Sequence, residues 1–358
     1  MAPSVDEQAV NGRDVNAVGR GRLGVFLRYL VFSLFLIAVG WAATKFDWHA
    51  IREQIGNASV AHLCGMVAAC AVALLIRPLK LLLLLRGTFP EAHPTYWPAF
   101  RADNIAMAVN SVVPARAGEV AMAVALRQSF GISTASSGSV VLIDRFLDFC
   151  TVVLIFVVSF LMSPEGIPWV RQATGGVVLI TLAFISCLIL AVRLRHVWMS
   201  LLAGVFARLD PTRAAKWDAR VRDLFSVLSV IDDTPRLVGL LVLSGAFWAM
   251  ISLAYWLGIH AVWPDITPTA AAFTASAVAL SFLLPVAPGG IGLFQGTVIL
   301  SLQLFGVGTS AALAFGILGH ALQVCTTLAL AAISMAWQGM SLRTLVSIRA
   351  TERQPSEK

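Results

Sequence analysis

Eight residues able to do chemistry fall within 103–148 of an otherwise apolar chain: Asp103, Asn104, Asn110, Arg116, Glu119, Asp144, Arg145 and Asp148. Ionisable groups in such surroundings face an interior cavity or pair with one another, because meeting hydrocarbon costs several kcal/mol. Asp144 and Asp148 are four apart and share a helix face, with Arg145 turned about 100° from Asp144. Arg116 sits in a Pro/Gly break, Val113-Pro114-Ala115-Arg116-Ala117-Gly118. Freed backbone N–H groups and a helix N-terminus there also favour an anion. Arg116 and Arg145 thus form a candidate phosphate or headgroup site, with Asn110 beside them. Glu119, Asp144 or Asp148 would read a cation or hold an arginine in place. The competing reading is an ion-pair network that only keeps this segment folded.

Elsewhere the polar residues are sparser. Arg77 and Lys80 end an apolar run, where snorkelling to the inner surface is the simplest expectation and contact with anionic lipid headgroups the functional one. A second break holds Pro285, Pro288, Gly289, Gly290 and Gly292, and its strongly polar side chain is Gln295. It reads as a neutral gate. His320 reads as a helix-packed histidine, with a proton relay as the alternative. The five cysteines lie in apolar runs without zinc or disulfide spacing and read as small buried hydrophobes. No nucleophile–base pair, phosphate loop, dinucleotide fingerprint or metal box stands in the sequence. Neither an enzyme nor a cofactor or metal requirement is expected.

The elements that must position these residues are set by composition. Of 358 residues, 58% are hydrophobic and 13% charged, and the mean hydropathy is +0.82. Soluble domains carry about 25% charged residues, so a soluble enzyme, a secreted disulfide scaffold and a disordered chain are excluded. Apolar runs at 23–43, 58–76, 139–162, 175–192, 237–259 and 309–337 are each long enough for a bilayer core. The regions 97–130 and 267–305 each hold an apolar run, a break and a second arm, and read as broken-helix hairpins dipping into the membrane. The expected fold is an all-α integral membrane protein with six transmembrane helices and two re-entrant hairpins.

Lysine and arginine orient it. With a cytoplasmic N-terminus, 20 of the 26 cations fall in inside segments, three outside (Lys45, Arg52, Arg171), and three in or beside the first hairpin. The net charge of +7 is therefore a topology signal and not a nucleic-acid surface. The expected organisation is a polar cytoplasmic segment 1–22, a membrane domain 23–337 and a cytoplasmic tail 338–358. An amphipathic helix is expected in the inside loop 193–236, after the cap Asp210-Pro211.

The two halves, about 23–162 and 175–337, echo each other. Val113-Pro114-Ala115 through Glu119 aligns with Leu284-Pro285-Val286 through Gly290 at an offset of 171, and Phe130-Gly131-Ile132-Ser133-Thr134 with Phe305-Gly306-Val307-Gly308-Thr309 at 175. Their hairpins would enter from opposite sides, which is the inverted-topology repeat of many secondary transporters.

The run 110–119 (NSVVPARAGE), followed by Gly131 and Asp144-Arg145-Phe146-Leu147-Asp148, resembles the lysylphosphatidylglycerol synthase transmembrane, or flippase-like, family. Arg77-Pro78-Leu79-Lys80 and Leu284-Pro285-Val286-Ala287-Pro288-Gly289-Gly290-Ile291-Gly292 resemble its two other signatures. The resemblance covers about 23–337 and implies a lipid-handling membrane domain, a stand-alone member expected to lack the cytosolic aminoacyl-transfer domain. Three departures are visible. Met122 stands where the family often has arginine, Gln295 where an acid is common, and Asp144-Arg145 where Glu-Arg is usual. They imply a less strongly charged headgroup.

The expected function is a lipid transporter of the bacterial inner membrane, both termini cytoplasmic, moving or presenting a polar-headed lipid between leaflets. The alternatives are a non-catalytic accessory subunit serving an envelope-lipid enzyme of a hopanoid or isoprenoid-glycolipid pathway, and a small-solute transporter. The expected partners are a membrane lipid and such an enzyme; nucleic acid is not among them.

Overall fold

In hydrocarbon only a helix satisfies its own backbone within one segment, and every regular element among the described residues is helical. The computed structural model describes residues 44–112, 117–162, 233–283 and 288–336, with isolated positions at 40, 41, 179, 201 and 204. The expected spans 23–43 and 175–192, the surface helix of 193–236 and the tail 338–358 lie wholly or almost wholly outside the described residues. So do Pro114, Arg116 and Pro285. The chain divides into two compact units, Met1–His49 and Ala50–Lys358, and nearly all the described residues lie in the second.

After a short α1 (Trp48–Gly56) the order is α2 (Val60–Thr88), α3 (Tyr96–Val112), α4 (Ala117–Phe130) and α5 (Thr134–Leu161). Then come α6 (Thr234–His260), α7 (Pro268–Ser281), a 3-10 turn (Pro288–Gly290), α8 (Leu293–Gln303) and α9 (Thr309–Ala336). Among the described residues, α2, α6 and α9 are long and apolar enough to cross a membrane, and α7 and α8 are shorter apolar helices. The 28-residue α5 matches them in length but carries Asp144, Arg145 and Asp148.

Local chemistry explains most helix ends. The Ser133 side chain accepts from the Ser136 N–H and starts α5 at Thr134, five residues before the apolar run begins. Asp233 caps α6 and Thr267 caps α7, each with proline in the first turn. Both short second arms end alike. Gly131 at φ 69° follows α4 and Gly306 at φ 75° follows α8, each three residues before the next long helix.

One boundary corrects the sequence reading. The second span does not stop at Ile76; α2 runs on through Pro78 to Thr88. Leu81, Leu84 and Leu85 are buried there, in an apolar cluster with Ala99, Ala102 and Ala106 of α3, Met122 and Leu126 of α4 and Ile143 of α5. The alanines let the backbones approach closely, and that packing holds the helix together past its missing N–H. The cysteines also divide: Cys70 is buried, whereas Cys64 and Cys325 are exposed.

Packing pairs α2 with α6, α3 with α4, α4 with α5 and α5 with α7; it also pairs α7 with α8, α8 with α9 and α9 with α3. Exchanging α2-α3-α4-α5 for α6-α7-α8-α9 carries this set of contacts onto itself. Each hairpin thus packs against the long helices of its own half and against one long helix of the other, α3 on α9 and α7 on α5.

Candidate functional site

Three cations and three carboxylates meet where α2, α3 and α5 converge. Arg77 and Lys80, three apart on α2, share a face. Arg77 Nε lies 3.5 Å from Asp103 Oδ1 and 4.0 Å from Asp148 Oδ2. Lys80 Nζ lies 3.1 Å from Asp144 Oδ1 and also pairs with Asp148. Arg145 reaches Asp103 at 3.6 Å, Asp144 at 3.5 Å and Asp148 at 3.7 Å. The six charges cancel, as buried charges must to stay ionised. Arg77 gains a further contact from the Phe247 ring of α6, 5.6 Å from its guanidinium carbon.

This corrects the snorkelling expectation for Arg77 and Lys80, which are 2% and 0% exposed. Neither reaches a lipid surface. The continuation of α2 turns both inward, and three aspartates make burial tolerable. Arg145 differs from them, being 23% exposed at its side chain.

Arg145 and Asp148 open onto a cavity of about 510 Å³. Its polar wall is Arg77, Asn110, Glu119, Arg145 and Asp148; its opposite character comes from Phe146, Phe149, Phe247, Trp248, Phe282 and Phe294. The Asn110 side chain shapes the first hairpin. Its Oδ1 accepts from the Gly118 N–H at 2.8 Å, and its Nδ2 donates to Glu119 Oε2 at 3.3 Å. Gly118 is required by close approach, since a Cβ there would strike the Ala106 carbonyl oxygen.

The second hairpin closes another side with backbone. Gly289, Gly290 and Gly292 all take positive φ, and Gly289 rests against the Ser111 carbonyl at the end of α3. Behind this tip, Gln295 Oε1 accepts from the Gly292 N–H at 2.8 Å. Its Nε2 donates to the Gly316 carbonyl at 3.3 Å and meets His320 Nδ1 at 3.2 Å. The His320 ring stacks on Phe294 with centroids 4.5 Å apart.

Of the residues singled out in the sequence, the fold brings Asn110, Glu119, Arg145, Asp148, Gly289 and Gly290 to one cavity. Asp144 sits behind the wall, 1% exposed, and Gln295 sits behind the tip. Pro288 begins the 3-10 turn. Sequence reasoning missed the structural role of Asp103 and the aromatic wall from α5, α6, the end of α7 and α8. It also passed over Gln323, which lines the cavity beside His320. One signal was available for it. The offset of 175 that aligns His320 with Arg145 also aligns Gln323 with Asp148.

No curated protein matches the chain. A family model does match, over residues 25–331, and its description is the lysylphosphatidylglycerol synthase TM region. The match embraces both hairpins, the charged cluster and the cavity. With the apolar helices of the fold, it makes this a multi-pass membrane protein of a lipid-related pathway. The chain belongs to the family of lysylphosphatidylglycerol synthase transmembrane regions.

Proposed function

We propose that this protein carries a polar-headed lipid between the leaflets of a bacterial inner membrane, or presents one to an enzyme, without itself being a catalyst. The observation that carries the reading is the divided lining of the cavity. Guanidinium, carboxylate and amide groups form one wall and aromatic rings another, which is what a molecule with a polar head and an apolar body requires.

In this reading Arg145, Asp148, Glu119 and Asn110 meet the headgroup directly, with Arg116 of the first break joining them. Asp144 positions Arg145, 3.5 Å away. Arg77 and Lys80 hold the aspartates. The breaks at Pro114 and Gly118, and at Pro285, Pro288, Gly289 and Gly290, serve as the two gates. We read the fold as six spans with two re-entrant hairpins in an inverted repeat, both termini cytoplasmic. The exchange symmetry of the helix contacts and the paired glycines Gly131 and Gly306 support that reading. Rocking of one half against the other would then expose the cavity to each side in turn.

The test is leaflet exchange in proteoliposomes carrying fluorescent phospholipids, with quencher added outside. Protein-dependent loss of the protected pool, reduced in Arg145→Ala and Arg116→Ala variants that still insert, supports the carrier. Full exchange by both variants removes the headgroup site. No exchange across several headgroups, with co-purification of an envelope-lipid enzyme, favours the presenting role.

A further inference from the structure

The amide of Gln295 has its orientation fixed by two backbone partners. Gly292 offers an N–H, which only the Oε1 end can accept, and Gly316 offers a carbonyl, which only the Nε2 end can serve. The Nε2 group therefore faces His320 Nδ1 as a donor, and Nδ1 must be the bare, accepting nitrogen of a neutral imidazole. Adding a proton at Nδ1 sets donor against donor. Turning the Gln295 amide to accept it would surrender both the Gly292 and the Gly316 hydrogen bonds. Gly292 belongs to the same tip as Gly289, which rests on the Ser111 carbonyl of the first hairpin.

We infer that His320 is a proton-binding site whose occupancy opens the contact between the two hairpin tips, so that cavity access is coupled to protonation. The ligand is the proton, and the coupling runs from His320 to Gly289 and Ser111 by two routes, through Gln295 and Gly292 and through the hydrogen bond of the His320 ring to the Gly289 backbone. Its geometry is independent of the cargo; its purpose, driving a carrier, rests on the lipid reading above. Other groups share the cavity with His320. Cys70 and Arg77 face it from α2, Glu119 from α4, Arg145 and Asp148 from α5, and Tyr255 from α6. From α3 come the neutral Asn110 and Ser111, with Asp103 held in the cluster behind. The described parts of α7, the tip and α8 contribute no ionisable side chain to it. Asp148 and Glu119 are where a protonated imidazole would find a counter-charge.

The test measures the hairpins directly. Nitroxides are attached to unnatural ketone-bearing residues at Val120 and Ile291, which are 68% and 62% exposed, and the distance between them is read by pulsed electron resonance in nanodiscs. The native chain is expected to give one population at about pH 8 and a second at about pH 5, longer by roughly a helical turn, ~5 Å. His320→Gln keeps an acceptor for Gln295 but cannot take the proton, and is expected to hold the short distance at both pH values. Gln295→Met removes all three of these hydrogen bonds and is expected to lose the pH dependence of the distance. A native distance that ignores pH, or a shift that survives in both variants, overturns the proposal. Movement of the tips without exchange of any lipid would sustain the proton gate while retiring the lipid carrier.

Discussion

Arg145 and Asp148 on α5 and His320 and Gln323 on α9 are spaced alike, each of the second pair 175 residues after its counterpart, and line the same cavity. One pair is charged and the other neutral. The charged pair depends on distant support: Arg77 and Lys80 from α2 and Asp103 from α3 must be buried with it. The neutral pair is supported locally, by one glutamine amide, a glycine tip and the Phe294 ring. Polarity at membrane depth is thus obtained in two ways, and each is open to a different perturbation.

Removing one member of the charged cluster is the harshest. Lys80→Met leaves Asp144 and Asp148 buried with a cation missing, and loss of one partner of a buried ion pair costs about 3–5 kcal/mol. The expected result is a large fall in thermal stability in detergent, partly restored by adding Asp148→Asn. A midpoint within experimental error of the native value would mean that Lys80 supplies no charge on which Asp144 and Asp148 depend.

That cluster is also where sequence reading failed. The helix caps went unnamed although their causes are local: Ser133, Asp233 and Thr267 lie within three residues of the N–H groups they accept from, and polar flanks drew less notice than the apolar runs behind them. The breaks were legible because proline and glycine announce themselves. Arg77 and Lys80 were not, because a cation ending an apolar run looks the same whether it snorkels or folds inward. What decides the matter for Lys80 is Asp148, 68 residues further along the chain. The aromatic wall was hidden for a related reason: Phe247, Trp248 and Phe282 look like ordinary lipid-facing residues until the fold turns them toward one cavity.

The hairpins offer the next contrast. Gly118→Ala would drive a methyl into the Ala106 carbonyl and the Asn110 side chain, backbone being the less yielding neighbour. A cost of about 1–3 kcal/mol is expected, with loss of the Asn110–Gly118 hydrogen bond. Gly290→Ala meets the Phe282 ring and a φ of 69°, so it strains the second tip as well. Its clash is with a side chain that can turn, leaving mainly the left-handed backbone cost of about 1–2 kcal/mol. Unfolding midpoints that rank the two the other way would place the tighter approach in the second hairpin.

Transport separates the pairs by kind. Arg145→Gln is expected to lower lipid exchange about tenfold at every pH, a change of ~1.4 kcal/mol in barrier. His320→Gln is expected to flatten the pH profile of exchange. If Arg145→Gln changed only the profile and His320→Gln only the rate, the assignments of headgroup wall and proton gate would be reversed.

The smallest effects should show that the halves differ in charge and not in general packing. Gly138 on α5 and Gly296 on α8 each have open space where a Cβ would go, with nothing within 4 Å. Neither has a positive φ. Alanine at either site removes unfolded-state freedom and improves helix propensity without a clash. Each substitution should raise stability by about 0.4–1 kcal/mol, equally in both halves and independently of pH. Because neither added methyl would touch a charged residue, any pH dependence in Gly296→Ala would have to travel through α8 itself. That would extend the His320 coupling beyond Gln295 and Gly292 into the helix they begin.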